Sequence, residues 1–208
     1  FGAEVIMTSA EHPSGTDRIA EAAQSLPEAA HIINVQGDEP LISPRLVDTL
    51  ATRMAEDSSI GMITAVHPVH DLAVLDNPNI VKCVITRDWC ALYFSRSRIP
   101  YPRGSSAGLI HWRHMGIYGF SRRFLAQFVA WPPGSLELAE SLEQLRALEN
   151  GAQVHVVITD HDSPGIDTPE QAHELVRTAD RRVAEVPAGI RGHGHALLRR
   201  ADAGEFVA

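Results

Sequence analysis

The sequence predicts an α/β protein built on a mixed, mostly parallel sheet flanked by helices, and three observations carry that expectation. Short apolar runs of strand length recur at 4–8, 31–36, 60–66, 80–86, 90–95, 115–120 and 153–158. Segments with helical spacing of apolar residues separate several of them, and such alternation favours a sheet built through helical crossovers. The third observation is "VKCVITRDWCALYFS", two apolar runs around Arg87 and Asp88, which reads as an antiparallel hairpin and makes the sheet mixed.

The first helix is expected over 15–25, after "HPSGT". Ser14 or Thr16 can cap it, Asp17 can reach back to Ser14, and Ile19, Ala22 and Ala23 give it an apolar face. A second is expected over 44–55, opening on Pro44 and carrying Leu46, Val47, Leu50 and Met54 at helical spacing. "SLELAESLEQLRALENG" reads as one helix capped by Ser135, with Leu138, Leu142 and Leu145 on a stripe and Gly151 as the stop. In "DTPEQAHELVRTADRRV", Thr168 caps, Pro169 takes the first helical position and Gln171 completes a capping box, which places Asp167 just ahead of a helix. The body of the chain, residues 1–183, is followed by a Gly-, His- and Arg-rich tail over 184–208 that reads as an appended, poorly ordered end.

At 208 residues and 44% hydrophobic, the chain is long enough for a sizeable core. A net charge of −8 disfavours nucleic acid or an anionic membrane as partner of the whole surface. No apolar run approaches bilayer length. The two cysteines, Cys83 and Cys90, both sit in apolar runs and read as buried thiols, in keeping with a cytoplasmic location. The opening run "AEVIMTS" would be an unprotected edge strand with nothing before it, so further sequence upstream of Phe1 is expected.

Several segments could carry chemistry. "INVQGDEPLI" ends an apolar strand on Gln36, Gly37, Asp38 and Glu39, where a turn Asp is common but where open α/β sheets also bind ligands. Asp38 and Asp167 each close a strand or loop before a helix. Two acids from distant loops suffice for magnesium, which keeps several waters and takes remaining ligands from phosphates. "HPSGTDR" sets Ser14 and Gly15 at a helix start, a place that attracts anions, and adds Arg18 in the first turn, where a cation opposes the helix dipole and gains by facing an anion. "YFSRSRIPYPR" supplies Arg96, Arg98 and Arg103, and "HWRHMGIYGF" supplies His111, Arg113, His114 and Tyr118; such groups recognise carboxylates and hydroxyls, or are ordinary loop arginines and a core histidine. His193 and His195 lack partners at metal-ligand spacing.

Taken in order, "HPSGTDRIAEA", "NVQGDEPLI", "NPNIVKCV", "ALYFSRSRIPYPR", "RHMGIYGF", "LELAESLEQLRALENG" and "GIDTPEQ" closely resemble the 3-deoxy-manno-octulosonate cytidylyltransferases, from about Phe1 to Val183. The resemblance implies a Rossmann-like nucleotide-diphospho-sugar transferase fold with a small antiparallel dimerisation subregion. It implies an enzyme that activates the eight-carbon sugar acid 3-deoxy-D-manno-octulosonate (Kdo) with CTP, releasing pyrophosphate, with magnesium as cofactor, in the cytoplasm and as a homodimer, for lipopolysaccharide assembly. Asp38 and Asp167 match the family's magnesium ligands. Arg18 and Gln36 match sugar-side contacts, as do Arg96, His114, Tyr118, Glu143 and Gln144. Ser14 and Gly15 match the turn near the cytosine.

The family's glycine- and basic-rich loop of the form R-x-x-S-x-R-L-P-G-K, which holds the triphosphate, has no counterpart here, so it is expected upstream of Phe1. Two other readings stand beside the first. One is a nucleotidyltransferase acting on another acid sugar, such as a sialic acid. The other is a non-catalytic binding or assembly module that keeps the sugar-acid pocket.

Overall fold

A computed structural model describes residues 5–37, 39, 41–104 and 108–161. The helix expected after Thr168, the boundary near Val183 and the tail lie outside them, as do Asp38 and Asp167. The strands are β1 (His31–Val35), β2 (Met62–Val69), β3 (Lys82–Ile85), β4 (Ala91–Ser95), β5 (His111–Ser121) and β6 (Val154–Ile158). The helices are α1 (Gly15–Gln24), α2 (Pro44–Glu56), α3 (Arg122–Ala130), α4 (Ser135–Glu140) and α5 (Leu145–Glu149), with a short 3-10 turn at Leu72–Asp76.

The mixed α/β class is as expected, but the strand pairing corrects the sequence reading. The sheet runs β4-β3-β5-β2-β6, with β1 also on β5. Among the described residues only the β2–β6 ladder is parallel. The reason is β5, a long strand that runs against β1, β2 and β3 and supplies most of the pairing surface. Apolar periodicity reports which residues are buried and is blind to chain direction. The hairpin turn is where the sequence put it: Thr86 N donates to Cys90 O at 2.7 Å, and Trp89 takes a left-handed φ of 57°.

Alternation along the strands sorts the core into two layers. On one face Ile32, Met62, Val66 and Phe120 pack with Ala23 of α1, Leu125 and Phe128 of α3, and Leu145 and Ala147 of α5. On the other, Ile33, Ile63, Ala65 and Ile117 pack against Leu46, Leu50, Ala51 and Met54 of α2. Close approach on this second face demands Gly119, where an added Cβ would lie 2.6 Å from Ile63 Cγ2 and 2.6 Å from the Met54 sulfur.

Three local expectations need correction. Residues 5–9 form no strand; that segment is instead held from α1, with Ser9 N donating to Glu21 Oε2 at 3.1 Å and Arg18 reaching Thr8 and Ser9. The apolar run at 115–120 is part of a longer strand that passes directly into α3, whose start is capped by Ser121 Oγ accepting from Phe124 N at 3.2 Å. The single helix expected over 135–151 is broken in two: Ser141 adopts φ 52°, ψ 52°, and both Ser141 N and Leu142 N turn back to Glu137 O. Consequently Leu138 is 68% exposed while Leu142 and Leu145 are buried, so the predicted leucine stripe does not exist.

Candidate functional site

A line of buried polar residues crosses the three-helix face of the sheet. Tyr118 on β5 stands opposite Asn34 on β1 and Thr64 on β2, so one row of side chains spans three strands. Next along β5, His114 packs between aromatic rings, 5.0 Å from Phe94 edge-on and 5.3 Å from Tyr118. Above them, Thr16 Oγ1 of α1 donates to Glu143 Oε2 at 2.5 Å, joining the start of α1 to the segment between α4 and α5.

Burial sets the protonation of this cluster. It pushes the His114 imidazole down to about 3, with the nearby Arg113 charge adding to the effect, so His114 is neutral at neutral pH. Its tautomer follows from Thr64, whose Oγ1 lies 2.8 Å from Ile117 O and 2.9 Å from His114 Nε2. The hydroxyl has one proton, and the carbonyl can only accept it, so Nε2 carries hydrogen and donates to Thr64. His114 Nδ1 is then a lone-pair acceptor. The Tyr118 phenol is pushed up by burial first, then by the Glu143 charge, and stays a protonated donor. Asn34 and Gln144 are 5% and 3% exposed, and neither Asn34 Nδ2 nor Gln144 Nε2 has a hydrogen-bond partner among the described residues.

The carboxyl end of β1 forms a tight turn, with Glu39 N donating to Gln36 O at 3.0 Å. Glu39 is buried against β5 at a place only glycine leaves open: a Cβ on Gly116 would lie 3.2 Å from Glu39 Oε1 and 3.7 Å from Gln36 Cγ. Gln36 therefore joins the same face as Asn34 and Tyr118. Ser14 is occupied in capping α1, accepting from Asp17 N at 3.2 Å and donating to Asp17 Oδ2 at 2.7 Å, while Gly15 is exposed. A cleft of about 310 Å³ opens beside them, lined by Ser14, Asp17, Trp131, Glu137, Glu143 and Arg146 among others. In its wall Arg146 makes a two-point contact with Glu137.

Of the residues singled out in the sequence, the structure brings together His114, Tyr118, Glu143 and Gln36 with the start of α1. Two arginines are directed elsewhere. Arg18 donates to Thr8 Oγ1 at 2.8 Å and Ser9 O at 3.1 Å. Arg96 donates to Pro78 O at 3.0 Å, Glu140 O at 2.7 Å and Ser141 O at 3.3 Å. The sequence reading took Thr16 only as a candidate cap and Glu39 only as an acid at the strand end, and it passed over Asn34 and Thr64, although a polar Asn inside "HIINV" and a Thr inside "MITAV" were visible signals of buried polar groups seeking partners.

Comparison with known proteins places these segments in context. The cytidylyltransferase family profile matches residues 1–158. The 3-deoxy-manno-octulosonate cytidylyltransferase of Chlorobium limicola is 47% identical over 186 residues, covering 88% of this chain and 74% of its own length. That of Thermodesulfovibrio yellowstonii is 49% identical over 183 residues, covering 82% and 71%. A solved structure of CMP:2-keto-3-deoxy-manno-octonic acid synthetase complexed with CTP superposes with a TM-score of 0.82 at 38% identity, covering 87% of this chain and 74% of that one.

Proposed function

Since the chain belongs to the cytidylyltransferase family, among relatives that are 3-deoxy-manno-octulosonate cytidylyltransferases, we propose that it transfers CMP from CTP to Kdo, releasing pyrophosphate, as an activation step for lipopolysaccharide assembly. The observation that carries the reading is the 38% identity and shared fold with a synthetase that holds CTP. In this reaction the sugar's anomeric hydroxyl attacks the α-phosphate, the bond to the β-phosphate oxygen breaks, and the hydroxyl proton leaves to base or solvent. Catalysis is then mostly alignment of the two substrates and neutralisation of phosphate charge.

The described residues suit the sugar side. Neutral His114 offers Nδ1 as an acceptor, Tyr118 and Gln144 offer donors, and Glu143 is held by Thr16. Such an array reads hydroxyl groups, and a site built to hydrogen-bond them rejects analogues that lack them. The donor set also fits magnesium: Asp38 and Asp167 carry hard carboxylate oxygens, and Gly37 and Glu39 on either side of position 38 belong to the tight turn off β1. Bound there, magnesium would supply phosphate charge neutralisation. In a protein that includes the triphosphate-holding loop, Asp38→Asn and Asp167→Asn are each expected to cut pyrophosphate release at least about a hundredfold at saturating magnesium without unfolding the protein, because Asn keeps the shape and loses the anion. Near-normal release from either variant removes that Asp from the metal site.

A cytoplasmic homodimer completes the proposal; among the described residues no helix is long and apolar enough to cross a membrane. The test of function, in a protein that includes the triphosphate-holding loop expected upstream of Phe1, is pyrophosphate release from CTP with Kdo, with a sialic acid, and with neither. Release with Kdo alone supports the reading. Preference for the sialic acid, or binding of a sugar acid without release, replaces it with the acid-sugar relative or the non-catalytic module.

A further inference from the structure

Lys82 has no exposed surface. It lies on β3, and its ammonium donates to Asn77 O at 3.1 Å, to Ile80 O at 2.6 Å and to Arg96 O. Three carbonyls thus take all three of its N–H groups. Burial pushes its pKa down, and the Asp76 and Glu140 charges oppose that. A methionine would fill similar space without a charge to desolvate, so fold stability alone is a poor reason for lysine here.

Its contacts converge on chain segments that bound the site. Arg96, whose carbonyl Lys82 holds, sends its own Nη1 back to Pro78 O in the same 77–80 loop, so two cations grip three carbonyls of that loop. Arg96 then reaches the α4–α5 break, donating to Glu140 O and Ser141 O, while Glu140 Oε2 accepts from Arg96 N at 2.9 Å and Glu140 Oε1 accepts from Ser95 Oγ at 2.6 Å. The break is where Ser141 turns left-handed, and Glu143 and Gln144 follow it directly, in the segment between α4 and α5. On the opposite side of Lys82, the adjoining Val81 O accepts from His114 N at 2.8 Å.

Resting on the proposed Kdo activity, we propose that Lys82 is a positioning residue for the sugar-acid substrate: through its grip on Asn77, Ile80 and Arg96 it fixes Arg96, and thereby the Ser141 break that presents Glu143 and Gln144. It touches no substrate itself. A lysine serving only its own strand would leave the α4–α5 break indifferent to its loss.

The test uses Lys82→Met in the full chain, with hydrogen exchange and steady-state kinetics as separate readouts. Exchange of the 141–145 amides is expected to speed up by about tenfold or more, together with 77–81 and without change in α2, as loss of a charge-assisted bond at each step implies. The Michaelis constant for Kdo should rise about tenfold while that for CTP stays within about twofold. Faster exchange at 77–81 with wild-type exchange at 141–145 overturns the proposal, and so does an equal rise in both Michaelis constants. Should Lys82→Met fail to fold, Glu140→Gln keeps the lysine and weakens the link from β4 to the break. The same rise at 141–145 is expected there, and its absence is equally fatal. If the wild-type protein transfers CMP to no sugar acid, the functional reading falls, while the exchange result still decides the clamp.

Discussion

The Glu137–Arg146 pair offers the sharpest test of how this side of the sheet is held together. Arg146 Nε donates to Glu137 Oε2 at 2.8 Å and Nη2 to Glu137 Oε1 at 2.5 Å, with side chains 6% and 9% exposed. The guanidinium also lies 4.8 Å above the Phe128 ring. Arg146→Met would leave a buried carboxylate with Gly134 N, at 3.1 Å, as its remaining donor among the described residues. Breaking a buried pair in this way costs about 3–5 kcal/mol, a large share of a typical domain stability of about 5–15 kcal/mol. The companion variant Glu137→Gln/Arg146→Met removes the stranded charge while an amide oxygen can still accept from Gly134 N, and is expected to recover to within about 2 kcal/mol of wild type. Urea denaturation monitored by far-UV circular dichroism at constant m-value would measure both. A single variant that loses less than about 1 kcal/mol, or a double variant weaker than the single, would refute the claim that the pair is buried and charge-coupled.

Three further expectations follow from particular contacts. Gly119→Ala should destabilise by about 1–3 kcal/mol, because its Cβ meets Ile63 and Met54 at 2.6 Å in a packed layer; an unchanged thermal midpoint would show that the layer yields. His114 titrates at about 3 when folded against an ordinary 6.5, so below pH 6.5 the unfolded chain binds the extra proton. Its contribution to stability is full above 6.5 and falls by about 1.4 kcal/mol per pH unit as pH drops towards 3. His114→Gln should remove one proton's worth of slope from the stability profile between pH 6 and 4, and parallel profiles would place His114 in solvent. Asn34→Leu removes a buried donor without a partner among the described residues, and should stabilise the ligand-free protein by up to about 1–3 kcal/mol while raising the Michaelis constant for Kdo; destabilisation would mean that Asn34 is already satisfied.

Much of this architecture was legible because burial and local caps write themselves into sequence. The apolar runs at 31–36, 60–66, 80–86 and 153–158 became β1, β2, β3 and β6, and α1 begins where Ser14 and Asp17 said it would. What escaped depends on distant partners. The helix over 135–151 has good local propensity throughout, yet it breaks at Ser141, where Arg96, 45 residues earlier, donates to the Ser141 carbonyl. Helix α3 went unread because β5 runs into it without a loop, and the cap signal of Ser121 lies inside an apolar stretch. In the site, Tyr118 was read from "HWRHMGIYGF" itself, while Glu143 was reached through resemblance. Their connection to Thr16 and Thr64 lies in strand register and helix placement, which spacing along the chain does not encode.

The cations at issue share a use that bears on recognition. Arg18 donates to Thr8 and Ser9, Lys82 and Arg96 grip the 77–80 loop, and Arg122 closes the end of α1 by donating to Ala23 O, Leu26 O and Ala29 O. Positive charge here organises backbone. What the sheet face and the α4–α5 segment present is different in kind: a neutral imidazole with Nδ1 as an acceptor, a protonated phenol, and two buried amide donors, Asn34 Nδ2 and Gln144 Nε2, without partners among the described residues. A buried unmet donor costs about 1–3 kcal/mol, so a ligand that meets it gains that amount and one that misses it leaves the penalty standing. Under the proposed function, recognition at this face counts hydroxyl groups and their positions, whereas charge would report only that an acid is present. A polyhydroxylated sugar acid can satisfy such a face at several points together, and a simple carboxylic acid of the same charge cannot.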